Sequence, residues 1–218
     1  MIDARLHLAL DGGGLELPAE GTIAVFQPPR DSDLPGLDKD RVQIIHGFKP
    51  DYDAWAARGY NVVRTIKDRY AACIVCLPRA KAEARAVIAA ACEVCDGIVV
   101  IDGQKTDGAD SVLREMRDRV TVQGPISKAH GKMFWISEPA AEFFTDWRQG
   151  PELTEGGFWT APGVFSADGV DLASALLVDA LPEKLGAEVA DLGAGWGFLS
   201  AHALTRPAIK NLYVVEAG

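Results

Sequence analysis

Val189-Ala190-Asp191-Leu192-Gly193-Ala194-Gly195-Trp196-Gly197 reads as the end of a strand, a glycine-rich turn and the entry to a helix. Glu188–Leu192 has strand length, and Gly197–Leu204 continues as helix. Glycines at such a turn let the backbone pass close to a ligand, because no Cβ stands in the way. The helix behind the turn presents unpaired N–H groups and the positive end of its dipole. A nucleotide-like ligand can then lie across the C-terminal edge of the strands.

Two cofactor classes compete for this pattern, beside a structural turn with no ligand. A dinucleotide site wants G-x-G-x-x-G. With Gly193 and Gly195 in the first two places, the third falls on Phe198. The sequence instead has G-x-G-x-G, with an acid two residues before the first glycine. That form resembles the first motif of class I S-adenosylmethionine-dependent methyltransferases. The resemblance implies that Asp191 sits near the methionine amino group. It implies that Gly193, Ala194 and Gly195 accommodate the amino-acid part of the cofactor. It also implies an acid, after the next strand, that bonds both ribose hydroxyls; Leu212-Tyr213-Val214-Val215-Glu216 supplies one, 25 residues after Asp191. Two acceptor oxygens facing two adjacent hydroxyls is sound hydrogen-bond geometry. Trp196 reads as packing over the helix start, with cofactor contact as the other role.

Upstream lies Gly156-Gly157-Phe158-Trp159-Thr160-Ala161-Pro162-Gly163-Val164-Phe165-Ser166-Ala167-Asp168-Gly169-Val170-Asp171, a glycine-rich loop feeding a helix over Leu172–Leu181. Its aromatics suit either a linker that plugs a seam or a lid over a cofactor. Pro162–Ser166, Asp168-Gly169, Asp171, the helix and the Asp191 motif together look like the small-subunit ribosomal RNA guanine-N2 methyltransferases, of the "small" methyltransferase-domain group. The resemblance implies two tandem α/β domains. Residues 1–155 correspond to a methyltransferase-like domain without a cofactor site, serving RNA binding and folding support. Residues 156–218 correspond to the first part of a Rossmann-like, S-adenosylmethionine-binding domain. Phe165 and Asp171 are then expected beside the cofactor, and ribosomal RNA or the small ribosomal subunit is the implied partner. The group's catalytic run, Asn/Asp-Pro-Pro-Phe/Tyr, does not occur in the sequence, so no catalytic residue is assigned. A fragment, or a chain with an unfinished catalytic domain, is the expectation. A non-catalytic RNA-docking module and a methyltransferase acting on a small molecule or protein are the alternatives.

The first 150 or so residues alternate strand-length apolar runs with helical patterns, which predicts an α/β fold with a largely parallel sheet. Strands are predicted at Thr22–Phe26, Val42–Ile45, Asn61–Ile66, Ala71–Leu77, Gly97–Ile101 and Lys132–Ile136. Helices are predicted at Asp51–Arg58, Lys81–Cys95, Ser111–Arg119 and Pro139–Trp147. The polar, glycine-bearing Arg148–Gly157 marks the domain boundary. The Asp11–Gly14 run precedes no evident helix. Asp102-Gly103-Gln104-Lys105-Thr106-Asp107-Gly108 is a polar turn after a strand, where Lys105 is either a phosphate contact or merely solvated.

Charge bounds the partners. Lys and Arg total 22 against 31 Asp and Glu, a net −9. Nucleic-acid binders carry a basic footprint, so any RNA contact here needs a local patch. No apolar run approaches the roughly 18 residues needed to cross a bilayer, and the N-terminus lacks a signal-peptide pattern, so no membrane partner and a cytoplasmic home are expected. Cys73, Cys76, Cys92 and Cys95 have zinc-like spacing on paper. Cys73 and Cys76, however, fall in a strand, where residues three apart point to opposite faces. Small buried thiols are the preferred reading. His7, His46, His130 and His202 show no metal spacing, so no metal site is predicted.

Overall fold

A computed structural model describes residues 2–139 and 141–217. The chain divides into two compact units, Met1–Gln149 and Gly150–Gly218.

The first unit is a seven-stranded sheet between helical layers. Its elements are α1 (Ile2–Leu10), β1 (Ile23–Phe26), β2 (Val42–Ile45), α2 (Lys49–Ala57), β3 (Asn61–Val63), β4 (Tyr70–Cys76), α3 (Lys81–Val94), β5 (Cys95–Gln104), α4 (Ala109–Arg117), β6 (Gln123–Lys128) and β7 (Gly131–Ile136). The strand order is β3-β2-β1-β4-β5-β7-β6. Strands β1 to β5 pair in parallel, whereas β7 runs antiparallel to both β5 and β6. The sheet is therefore mixed.

Side-chain alternation along the central strands feeds two cores. Ala24, Phe26, Cys73, Val75, Val99 and Ile101 face one way, toward Ile88 of α3, Met116 of α4 and Trp147. Ile23, Val25, Ala72, Ile74, Ile98 and Val100 face the other way, toward Ile2, Leu6 and Ala9 of α1 and Trp55 of α2. Near-continuous apolar runs are what a sheet covered on both faces requires.

Two elements of this unit, helix α1 and strand β6, escape the sequence reading. Helix α1 buries Ile2, Leu6 and Ala9, a helical spacing in a segment short enough to pass for a tail. The Asp11–Gly14 run terminates this helix, with the Asp11 N–H donating to His7 O. Strand β6 contains Gly124 and Pro125, which argue against a strand; proline is tolerated here because β6 is the sheet edge. Strand β3 is shorter than predicted, since only Gln43–Ile45 of β2 are opposite it. The predicted Pro139–Trp147 helix is a 3-10 segment over Ala141–Trp147, broken at Phe144 (φ −121°, ψ 16°). Ala140 lies outside the described residues.

Cys73 and Cys76 point into opposite cores, as strand alternation demands. Cys73, Cys92 and Cys95 share one core, and Cys95 opens β5 instead of closing α3. Burial pushes the Cys92 thiol up to about 12. No helix among the described residues is long and apolar enough to cross a membrane.

The second unit contains β8 (Glu152–Leu153) and β9 (Trp159–Thr160), an antiparallel pair, then α5 (Leu172–Ala180), β10 (Glu188–Leu192), α6 (Phe198–Ala203) and β11 (Asn211–Val215). Strands β10 and β11 pair in parallel across α6, with Asp191 opposite Val214 and Leu192 opposite Val215.

Candidate cofactor site

The turn leaving β10 is shaped by glycines in the left-handed region. Gly193, Gly195 and Gly197 have φ of 75°, 55° and 89°. An added Cβ at any of them meets nothing within 4 Å. The requirement is therefore backbone conformation, with open space in front of the turn. The N–H groups of Gly193 and Ala194 donate to Val215 O, at 2.9 and 3.2 Å, which ties the turn to the end of β11. Glu216 follows at once. Its Oε2 accepts from the Gly195 N–H at 2.7 Å and its Oε1 from the Ala217 N–H at 2.6 Å. The carboxylate is thus aimed by backbone donors on both sides.

A cleft of about 150 Å³ opens beside this turn. Phe165, Asp171, Gly193, Ala194, Gly195 and Glu216, all singled out from sequence, line it together. Asp171 is the N-cap of α5, its Oδ2 accepting from the Ser174 N–H at 2.8 Å and from Ser174 Oγ at 3.1 Å. Phe165 is 71% exposed, and its carbonyl accepts from Trp196 Nε1 at 3.1 Å. Trp196 lines the cleft and also packs edge-on against Phe158 at 4.8 Å.

Asp191 stands apart. Its Oδ2 accepts from Ser200 Oγ at 2.6 Å, and it is not among the lining residues. Ser166, Ser174, Phe198 and Leu199 complete the lining and were not foreseen. Ser174 was legible, since Asp171-x-x-Ser174 is a capping spacing. Phe198 holds the place that a dinucleotide turn gives to glycine. At about 150 Å³ the cleft is smaller than most small-molecule pockets, and a nucleoside-sized ligand would extend beyond it. Acceptor oxygens, an open glycine turn and aromatic walls fit such a group chemically.

The first unit builds the corresponding edge differently. Its strand order reverses between β1 and β4, the place where open α/β sheets bind ligands. There the chain leaves Phe26 as Gln27-Pro28-Pro29. Two prolines remove two N–H donors, and Gln27 Nε2 donates to Glu83 Oε1 at 2.9 Å across the edge. Among the described residues, no group of three or more His, Cys, Asp or Glu is placed to hold a metal ion.

Residues 155–218 match the methyltransferase small domain. Two curated relatives are both ribosomal RNA small subunit methyltransferase C. The protein from Erwinia tasmaniensis is 42% identical over 74 residues, covering 33% of this chain and 20% of its own. The protein from Serratia proteamaculans is 30% identical over 105 residues, covering 47% of this chain and 30% of its own. A solved 16S rRNA N2 methyltransferase of T. thermophilus, in complex with AdoMet and guanosine, shares the fold with a TM-score of 0.74 at 22% identity. That likeness covers 99% of this chain and 62% of the solved one. The chain therefore spans less than a third of the length of its curated relatives and under two thirds of the solved one.

Proposed function

We propose that the methyltransferase small domain of this chain holds S-adenosylmethionine at the Gly193–Glu216 cleft, and that the protein methylates a guanine amine of small-subunit ribosomal RNA. The observation that carries the reading is the convergence of Phe165, Asp171, Gly193, Ala194, Gly195 and Glu216 on one cleft. The curated relatives and the solved structure, by what they are, support the substrate class.

The cofactor supplies a methyl group on a sulfonium, ready for direct displacement. The residues present bind and orient. Glu216, aimed by two backbone N–H donors, accepts from the paired ribose hydroxyls. The glycine turn admits the amino-acid part without a Cβ in its path. Phe165 and Asp171, which line the same cleft, would lie beside the cofactor. Asp191 Oδ1 makes no hydrogen bond among the described residues and is the oxygen that would take the ligand's ammonium, while Ser200 steadies Oδ2. Holding the methyl carbon in line with the amine supplies most of the rate.

The first 155 residues, in this reading, are a methyltransferase-like domain that has lost its cofactor site and serves RNA docking and folding. The Gln27-Pro28-Pro29 exit from β1, in place of an acid and glycines, supports this.

The test is calorimetric titration of the chain with S-adenosylmethionine, beside Glu216→Ala and an NAD titration. Saturable binding of S-adenosylmethionine that the substitution removes is expected. Binding of NAD alone overturns the cofactor assignment. Methyl transfer from the labelled cofactor to protein extracts but not to ribosomal RNA or small subunits overturns the substrate.

A further inference from the structure

We propose that a basic cleft in the N-terminal unit, at the turn joining β6 and β7, takes the phosphodiester backbone of an RNA strand. The identity of the polyanion rests on the ribosomal RNA reading above; the location rests on the cleft alone.

The cleft holds about 340 Å³ and lies between the start of α4 and the β6–β7 turn. Lys105, Lys128 and Lys132 line it, with His130 and one acid, Asp110. Asp110 is engaged by Lys132 at 2.5 Å, and that hydrogen bond holds its carboxyl below the usual range. Among the described residues, no ion pair joins Lys105 or Lys128 to an acid. Acids outnumber bases in this chain by 31 to 22. Three lysines around a single, already engaged acid therefore run against the overall charge, and form the local patch that RNA contact would require.

The surroundings suit a phosphate. Lysine meets phosphate oxygens as a compact point charge with three donors. Buried Ala109 and Gly131 keep the floor free of bulky side chains. The α4 N-cap is Gly108, which gives no side-chain cap, so the first-turn amides add positive potential on the same side. The wall carrying Lys128 is fixed in place, because Arg5 Nη1 donates to Lys128 O at 2.9 Å.

The experiment measures binding of a labelled single-stranded RNA of small-subunit sequence by fluorescence anisotropy over a range of salt. The wild-type chain is compared with Lys105→Gln/Lys128→Gln and with Lys67→Gln/Lys184→Gln, which removes the same charge outside the cleft. Each lost phosphate contact lowers the log–log salt slope by about 0.7. The cleft variant is expected to lose about 1.4 in slope and at least tenfold in affinity at low salt, and the control to lose little of either. Inorganic pyrophosphate is titrated in parallel. Equal slopes for the two variants, absence of RNA binding by the wild type, or cleft-dependent binding of pyrophosphate without RNA each overturn the proposal. Calorimetry with S-adenosylmethionine on the same samples keeps the two readings apart. Loss of cofactor binding with a cleft-dependent RNA slope sinks only the cofactor site, and the converse sinks only the cleft.

Discussion

Arg5 and Asp102, 97 residues apart in the chain, form a two-point ion pair inside the N-terminal unit, with Nη2 and Oδ2 at 2.8 Å. The Arg5 side chain is 1% exposed and its Asp102 partner 6%. A third guanidinium nitrogen, Nη1, bonds Lys128 O, so one side chain ties α1 to both β5 and β6. A Cβ at Gly131 would collide with this guanidinium, which explains the glycine there. Removing one partner of a buried pair leaves the other charge uncompensated. Arg5→Leu or Asp102→Leu is therefore expected to cost about 3–5 kcal/mol. The double variant, Arg5→Met with Asp102→Leu, should recover much of that loss. Urea unfolding midpoints decide it, and single variants within about 0.5 kcal/mol of wild type would show that the pair carries no weight.

His46 gives the fold a specific pH dependence. It follows β2, is buried, and its Nδ1 has no hydrogen-bond partner among the described residues. Burial lowers its pKa, against a smaller opposing pull from Asp51, whose Oδ2 is 3.4 Å from Nε2. The unfolded chain then takes up the proton before the folded one does. Stability is fully present above about pH 6.5 and falls as the pH drops through the folded-state value. His46→Gln should flatten that limb of the curve, measured as unfolding free energy from pH 7.5 down to 5. An unchanged limb means other groups set it.

Much of this was legible because the signals were local. The β-branched and aliphatic runs of β1, β2, β4 and β5 survive in the structure, since strands covered on both faces must be apolar throughout. The antiparallel β7 was not legible: nothing in Lys132–Ile136 states its direction, which is set by the short turn from β6. Strand β6 itself was hidden by Gly124 and Pro125, residues that deny a strand everywhere except at an edge. At the Gly193–Glu216 cleft, Gly193, Gly195 and Glu216 were readable because a left-handed turn and a strand-terminal acid leave a fixed spacing. Phe198 and Leu199 were not, because a helix shows its cleft-facing side only once its axis is placed.

Asp171 serves two ends that substitution can separate. It caps α5 through the Ser174 N–H, and it lines the cleft. Asp171→Ala should cost about 1 kcal/mol in stability through the lost cap. Asp171→Asn keeps a capping oxygen and should melt near the wild-type temperature. If the charge also contributes to the cofactor, Asp171→Asn weakens S-adenosylmethionine binding without a stability change, measured by calorimetry and thermal melting together. Wild-type affinity in Asp171→Asn would leave Asp171 a cap alone.

The remaining acid, Asp191, poses the sharpest question, because it belongs to the motif yet does not line the cleft. Its Oδ2 is taken by Ser200, a residue of α6, so the pair fixes the helix behind the glycine turn. Two roles make different predictions. If Oδ1 receives the cofactor's ammonium, the interaction is a charge-assisted hydrogen bond worth about 1.5–3 kcal/mol. Asp191→Asn should then weaken binding roughly tenfold to a hundredfold. Ser200→Ala leaves the charge and loses only its orientation, so its effect should be a few-fold. If Asp191 acts only as an anchor for α6, Asp191→Asn keeps an oxygen for the Ser200 hydroxyl and should bind almost as wild type, while Ser200→Ala breaks the bond and carries the larger loss. Calorimetric affinities for S-adenosylmethionine across wild type, Asp191→Asn and Ser200→Ala therefore rank the roles: a loss much larger in Asp191→Asn assigns Asp191 to the ligand, and a loss larger in Ser200→Ala assigns it to the helix.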